Sequence, residues 1–449
     1  MSPSQTVLNE YQHPGYPIFI LAASKVIGLF YNGGQLFLFI YSAQAAALLF
    51  RIFTIIVLYF FAKELSGARH AFWSILILIF LPKPAEYGSD ALSDWPHMFF
   101  LAAGMLLLLY GAKCGKWRLF ALTGLAGGLG YLVRPEGAQV VIYGSCWLVL
   151  QLIWKRRTLS KSNAVLGLAA MVICFIITAG PYMKFKGAIF PKKGVGTFSS
   201  YYPLDEINKT RIFYFDGYNA AAVPSETVKA FIKIFENVGD TLVWFFLLPY
   251  LIGIFLHFKK QKLIEPEHFF IIALVILNIL IMIWLYCSHG YMSGRHTLPL
   301  VVFTIFYIPA GIDALASWLN IKYSKGFEHT HRWFAILMVI GIAICALRLL
   351  IPLHSDKLFY RKAAQWLAQN TESSAIIGVP DYRISFYAER KSIKMPDEKI
   401  PEAAGYVVKA VDKTENVQEL TKEQRFQKVF SVESDNDKEE IIIYKRINN

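Results

Sequence analysis

Four short polar stretches interrupt an otherwise oily chain, and they hold the side chains best suited to chemistry. The stretch YGSDALSDWPHMFF carries Asp90 and Asp94 four residues apart, directly before an apolar run. If residues 90–94 are already helical, the two carboxylates share one face. They can then bind a metal, accept hydrogen bonds from sugar hydroxyls or act as a general base. Capping of a helix start by Ser93 or Asp94 is the plainer reading, and it accounts for one acid better than for both. SHGYMSGRHTLPL places Tyr291, Arg295 and His296 before another apolar run. Arginine suits bidentate recognition of a phosphate, while snorkelling of Arg and His at a membrane boundary is the structural alternative. YLVRPEGAQVV sets Arg134 and Glu136 on either side of Pro135 between two apolar segments, and QHPGYP sets His13 beside prolines outside a third.

The elements that must position these residues are membrane helices. Only 17% of the 449 residues are charged, against about 25% in soluble domains. Apolar runs recur at 36–62, 70–82, 95–112, 119–133, 138–154, 164–182, 241–257, 268–287, 297–319 and 333–352, with a shorter one at 17–31. Many approach the ~20 residues that a bilayer core requires. The fold class is therefore a polytopic α-helical membrane protein of about ten or eleven apolar segments, followed by a small C-terminal α/β domain. Five cysteines lie in or beside apolar segments without paired spacing, so neither a disulfide framework nor a thiolate metal site is indicated. The net charge of +13 sits in short loops between helices, which argues against a nucleic-acid partner.

Loop chemistry alternates along the chain. Lys63 and Arg69, then Lys113, Lys116 and Arg118, KRRTLSK at 155–161, KKQK at 259–262, and Lys322, Lys325 and Arg332 form one basic class. By the positive-inside rule these loops face the cytoplasm. The intervening loops then face outward, which brings Asp90, Asp94, Arg134, Glu136, His289, Arg295 and His296 to one membrane face. Ionisable residues at such depth are costly and usually functional. RPEG reads as a tight turn, with Pro135 and Gly137 making the reversal and the residue before proline ending the preceding helix. Residues 1–353 form the membrane domain, with 183–239 a long outer loop. An amphipathic helix at 225–237 within that loop would lie in the interface or act as a lid. Residues 354–449 form the extracytoplasmic domain, in which FYRKAAQWLAQN has helical periodicity and AIIGVP, GYVVKA and EIIIYKR read as strands. The sequence shows neither a Gly-rich phosphate loop in that domain nor an internal repeat.

Outward carboxylates, a phosphate-binding arginine and an interfacial loop suit an amphiphile with a phosphate head group, whose cargo the site would transfer. A lipid-linked sugar is the obvious candidate, although this chemistry alone does not select a sugar. HPGYP, YGSDALSDWPH, YLVRPEG and GRHTLPL, in this order among the helices, resemble the bacterial branch of the GT-C glycosyltransferases. That branch is related to the dolichyl-phosphate-mannose–protein mannosyltransferases and to the aminoarabinose transferase of lipid A. The likeness runs over most of 12–390 and includes DYRISFYAER. It implies a GT-C-like domain in the bacterial inner membrane, surrounded by membrane lipid, with its active site facing outward. Such a domain passes a sugar, usually with inversion, from a polyprenyl-phosphate donor to a protein, lipid or glycan acceptor. By matching position, Asp90 and Asp94 are the implied catalytic acids, beside the donor phosphate or a bound metal. Arg295, His296 and Arg134 would face the phosphate, and Glu136, His13 and Tyr291 would line the site. No cofactor is implied beyond an optional divalent metal.

One departure stands out. In the family a first transmembrane helix and an acidic outer loop precede the motif matching HPGYP, whereas here about a dozen residues do, with Glu10 their sole acid. The expectation is a chain that starts late, or catalysis that has been lost or moved. The alternative function is a non-catalytic or degenerate membrane protein that binds or transports lipid-linked glycans. A transporter should show related halves, and the sequence has none.

Overall fold

The computed structural model describes residues 13–153, 159–187, 223–260, 265–323, 330–351, 353, 358–395, 400, 403–412, 426–433 and 439–447. Glu10 and residues 188–222 of the long outer loop lie outside the described residues. Two compact units are present, Met1–Leu350 and Ile351–Asn449.

The first unit is helical. It begins with α1 (Gly15–Ile27) and α2 (Gln35–Phe80). At 1.5 Å per residue the 46 residues of α2 would reach about 69 Å if straight, more than twice the ~30 Å hydrocarbon core. The chain instead doubles back at Gly67, whose φ of 82° and ψ of 163° favour glycine. Arg51 Nη2 donates to the Ile79 carbonyl at 3.1 Å, tying the two arms side by side. The expected segments 36–62 and 70–82 are these two arms, with the reversal between Lys63 and Arg69.

After the hairpin come α3 (Pro82–Ser89), α4 (Asp94–Cys114), α5 (Trp117–Val133), a 3-10 turn (Pro135–Ala138), α6 (Gln139–Ile153) and α7 (Lys161–Lys186). They are followed by α8 (Val223–Thr241), α9 (Leu247–Lys260), α10 (Pro266–His289), a second 3-10 turn (Gly294–Thr297), α11 (Leu298–Val302), α12 (Tyr307–Tyr323) and α13 (Thr330–Leu349). Among the described residues six helices are long and apolar enough to cross a membrane, and a bent pair makes up to seven. The chain is a multi-pass membrane protein.

Helix α4 is the central post. Trp95, Met98, Leu101, Met105, Leu108 and Leu109 are all buried, whereas α7 leaves Val165, Ile173, Ile176 and Ile177 exposed, as a lipid-facing helix does. Two runs that read as continuous in sequence are broken. Segment 241–257 divides at 242–246, where Val243 and Trp244 take positive φ of 58° and 60°, so α8 and α9 are separate helices. Segment 297–319 bends by 72° between α11 and α12. The amphipathic helix expected at 225–237 is α8. Ala230, Ile234 and Val238 face inward, Val228, Phe231, Ile232 and Phe235 are exposed, and the helix packs against α10 and the Gly294–Thr297 turn.

The second unit holds α14 (Leu358–Asn370), β1 (Ile376–Val379), α15 (Tyr382–Ala388), β2 (Lys391–Lys394), β3 (Tyr406–Asp412), β4 (Phe426–Glu433) and β5 (Glu439–Arg446). The strand order is β2-β1-β3-β5-β4; β1 runs parallel to β2 and β3, and β5 runs antiparallel to β3 and β4. Alternation along β5 splits the core. Ile441 and Ile443 pack with Phe359, Ala363 and Leu367 of α14, while Ile442 and Tyr444 pack with Met395 and Phe426 on the opposite face.

Candidate active site at the mouth of the helices

Arg134 ends α5 with extended backbone (φ −152°, ψ 144°), because the proline that follows disfavours helix at this position. That conformation turns the guanidinium out of the helix, and Nη1 donates to Asp94 Oδ1 at the start of α4. The Asp94 side chain is 4% exposed, and its other oxygen, Oδ2, is buried without a partner. Ser93 precedes it as the N-cap but makes no side-chain capping bond, so capping explains neither residue. The RPEG turn differs from expectation in one respect. Pro135–Ala138 is a 3-10 turn, and Gly137 is needed for close approach: a Cβ there would fall 2.1 Å from the Gly130 carbonyl carbon of α5.

A small cavity, open on one side, lies beside this ion pair. One wall comes from the first turn of α4 and the RPEG turn, with His97, Arg134, Glu136 and Gln139. The rest of the lining comes from α10, the second 3-10 turn and the start of α11, with Asn278, Ile281, Met282, Leu285, Arg295, His296 and Pro299. His97 Nδ1, Glu136 Oε2 and Arg295 Nε are buried and lack hydrogen-bond partners. Among the described residues Glu136 and Arg295 also lack an oppositely charged side chain within 4 Å. Buried polar groups are nearly always satisfied. Three orphaned atoms from residues around one cavity, two of them on charged side chains, mark a place where a polar ligand supplies the missing bonds. His296 is oriented through Ser293, whose backbone N–H reaches Nδ1 at 3.2 Å.

The remaining expected site residues do not join this cavity. Asp90 ends α3 with extended backbone (φ −77°, ψ 155°) and precedes the start of α4, so it does not share a helical face with Asp94, and it is absent from the cavity walls. His13 is buried instead between the rings of Tyr131 and Tyr182, and its Nδ1 donates to the Tyr131 carbonyl at 2.7 Å. Burial holds its pKa below the ordinary value, with Lys186 and Arg134 acting in the same direction and the Tyr131 bond and Glu136 opposing. His13 thus anchors the start of α1 to the end of α5. Tyr291 is 66% exposed and lines no part of the cavity. The His289 side chain lies outside the described residues.

Two lining residues carried weaker signals. His97 follows Asp94 by one helical turn inside the stretch SDWPH. Asn278 is a lone amide in the run IIALVILNILIM, and a polar residue there invites a functional reading. It donates to the Leu274 carbonyl and to Gln139 Oε1, which also accepts from Tyr143. Tyr87 of α3 lies against Gly294 beside Arg295, and burial pushes its phenol up to about 12, so it stays protonated as a donor. Among the described residues no three His, Cys, Asp or Glu side chains are grouped to hold a metal ion.

Residues 35–179 match the family model for dolichyl-phosphate-mannose-protein mannosyltransferase. This stretch includes Asp94, Arg134 and Glu136 but ends before Arg295. No curated protein matches the chain. The fold is similar to that of the oligosaccharyltransferase of Archaeoglobus fulgidus in complex with Zn and sulfate, with a TM-score of 0.51 and 13% identity. That likeness covers 89% of this chain and 59% of the archaeal one, so the chain spans less than two thirds of that enzyme's length. It is also similar to ArnT from Cupriavidus metallidurans bound to undecaprenyl phosphate, with a TM-score of 0.52 and 13% identity over 96% of this chain and 87% of that one. At such identity the likeness is one of fold. The chain has the GT-C-like fold and resembles the protein mannosyltransferases and ArnT, as its motifs implied.

Proposed function

We propose that this protein is a glycosyltransferase that moves a sugar from a polyprenyl-phosphate donor to an acceptor at the outer membrane face. The observation that carries this reading is the cavity with two unlike parts. Arg295 presents a cation with no carboxylate within 4 Å among the described residues, and Ile281, Met282 and Leu285 of α10 supply apolar surface beside it. An amphiphile satisfies both parts at once, its phosphate on Arg295 and His296 and its hydrocarbon along α10. The structurally similar ArnT is bound to undecaprenyl phosphate, a molecule of that kind. Arg134 faces the same space, but Asp94 already engages one of its nitrogens. Asp94 in this reading positions Arg134. Gln139 and Asn278 offer amide groups for sugar hydroxyls between the walls. The basic loops face the cytoplasm and the cavity opens outward, in a bacterial plasma membrane.

In the chemical step the acceptor oxygen attacks the anomeric carbon from the face opposite the phosphate, and inversion follows. Arg295 stabilises the charge that gathers on the departing phosphate. The test is a transfer assay with the full chain in nanodiscs and a panel of polyprenyl-phosphate sugars, followed by mass spectrometry of the released lipid phosphate. Consumption of at least one donor is expected. A panel that is neither bound nor consumed overturns the reading, and binding without consumption points to a non-catalytic binder of lipid-linked sugars.

A further inference from the structure

We infer that Glu136 is the base that takes the acceptor's proton, with His97 beside it orienting the acceptor; this rests on the glycosyl-transfer reading above. Glu136 is the one carboxylate among the described residues lining this cavity. Asp94 is committed to Arg134 through Oδ1, and neither it nor Asp90 is on the cavity wall. Glu136 is on the wall, and its Oε2 has no partner. The 3-10 turn fixes where it stands, because Gly137 seats that turn directly on Gly130. His97 lines the same wall and also keeps a ring nitrogen, Nδ1, without a partner.

The two turns give these groups their roles. Arg295 belongs to the turn that follows α10, Glu136 belongs to the turn between α5 and α6, and both line the cavity. An inverting displacement requires the attacking and departing oxygens on opposite faces of the anomeric carbon. With the phosphate on Arg295, the acceptor enters on the Glu136 side. Its O–H bond breaks as the proton passes to Glu136 Oε2. The oxygen forms its bond to the anomeric carbon as the bond to phosphate breaks. The electron pair leaves on the polyprenyl phosphate, and the protonated Glu136 returns its proton to water.

The experiment measures donor binding and sugar transfer separately, in nanodiscs, for the wild-type chain and for Glu136→Gln, Glu136→Ala and His97→Ala. Glu136→Gln is expected to bind the polyprenyl-phosphate sugar within about twofold of wild type and to lose transfer by roughly 100-fold or more. Added formate, a small carboxylate able to occupy the vacated space, should raise transfer by Glu136→Ala about tenfold, which a purely structural role would not produce. His97→Ala should raise the acceptor KM more than it lowers kcat. Transfer by Glu136→Gln within a few fold of wild type overturns the assignment, as does loss of donor binding in that variant. A wild-type chain that neither binds nor consumes a donor overturns the glycosyl-transfer reading itself, and the two failures are thus distinct.

Discussion

The two ends of α4 treat charge differently. Nineteen residues beyond Asp94, about 28 Å along the helix axis, Lys113 bridges Glu64 at 2.9 Å and Glu267 at 3.1 Å, tying α2, α4 and α10 together. Nearby in sequence to Glu64, Arg69 and His70 both engage Asp313 of α12, at 2.9 and 2.8 Å. These groups find partners on another helix, and none of them leaves a buried polar atom unsatisfied. At the mouth, Asp94 and Arg134 form a tie as well, although Asp94 Oδ2 stays buried without a partner, whereas Glu136 and Arg295 keep an unpartnered buried atom and have no oppositely charged side chain within 4 Å among the described residues. Charges that fasten helices find a counter-charge within the protein. Glu136 and Arg295 do not, and that distinction separates a clamp from a site.

The comparison can be broken in order of expected effect. Asp94→Ala leaves Arg134 in a largely enclosed place without its carboxylate, and should cost about 3 kcal/mol of stability. Thermal unfolding in detergent would show it, and Asp94→Ala combined with Arg134→Met should regain part of the loss. An equal loss in the double variant would mean that the pair is not the cause. Arg295→Ala should weaken polyprenyl-phosphate binding by about 10- to 100-fold with an unchanged Tm, because no ion pair within the described protein is removed. A lower Tm with unaltered binding would place Arg295 among the clamps.

Asp313→Ala should do the reverse. Its side chain is 28% exposed, so the loss is expected to stay near 1 kcal/mol or below, with donor affinity unchanged. His13 offers a test by pH. Its folded-state pKa lies below the unfolded value of about 6.5 because burial disfavours the charged ring. Its stabilising contact is therefore intact above that value and weakens as pH falls through it toward the folded pKa. Hydrogen exchange in α1, corrected for intrinsic rate, should rise between pH 7.5 and 5.5, and His13→Asn should flatten that dependence.

Much of the scaffold was legible from local pattern. Apolar runs located the helices because a bilayer demands about 20 such residues, and turn chemistry located RPEG. Within the second unit AIIGVP, GYVVKA and EIIIYKR became strands β1, β3 and β5, whereas β2 (KSIK) and β4 (FQKVFSVE) are too polar to stand out. Other features escaped because no local pattern encodes them. The break at 242–246 and the 72° bend before α12 interrupt runs of unbroken hydrophobicity. His13 sits in a motif that looks functional and serves as an anchor, while Asn278, alone in its run, lines the cavity.

The sequence by itself determined which charged residues reach one end of the bundle, since helix length and the alternation of basic loops depend only on counting along the chain. Which of those residues face one another was decided by tertiary structure. Each residue along a helix turns the side chain by about 100°, following from 3.6 residues per turn, so the partner of Asp94 depends on how α4 is rotated against α5. The extended backbone of Arg134 carries its guanidinium across to Asp94, and the seating of Gly137 on Gly130 sets Glu136 in the cavity that Arg295 also lines. Those contacts join residues distant in the chain, and only packing can select them.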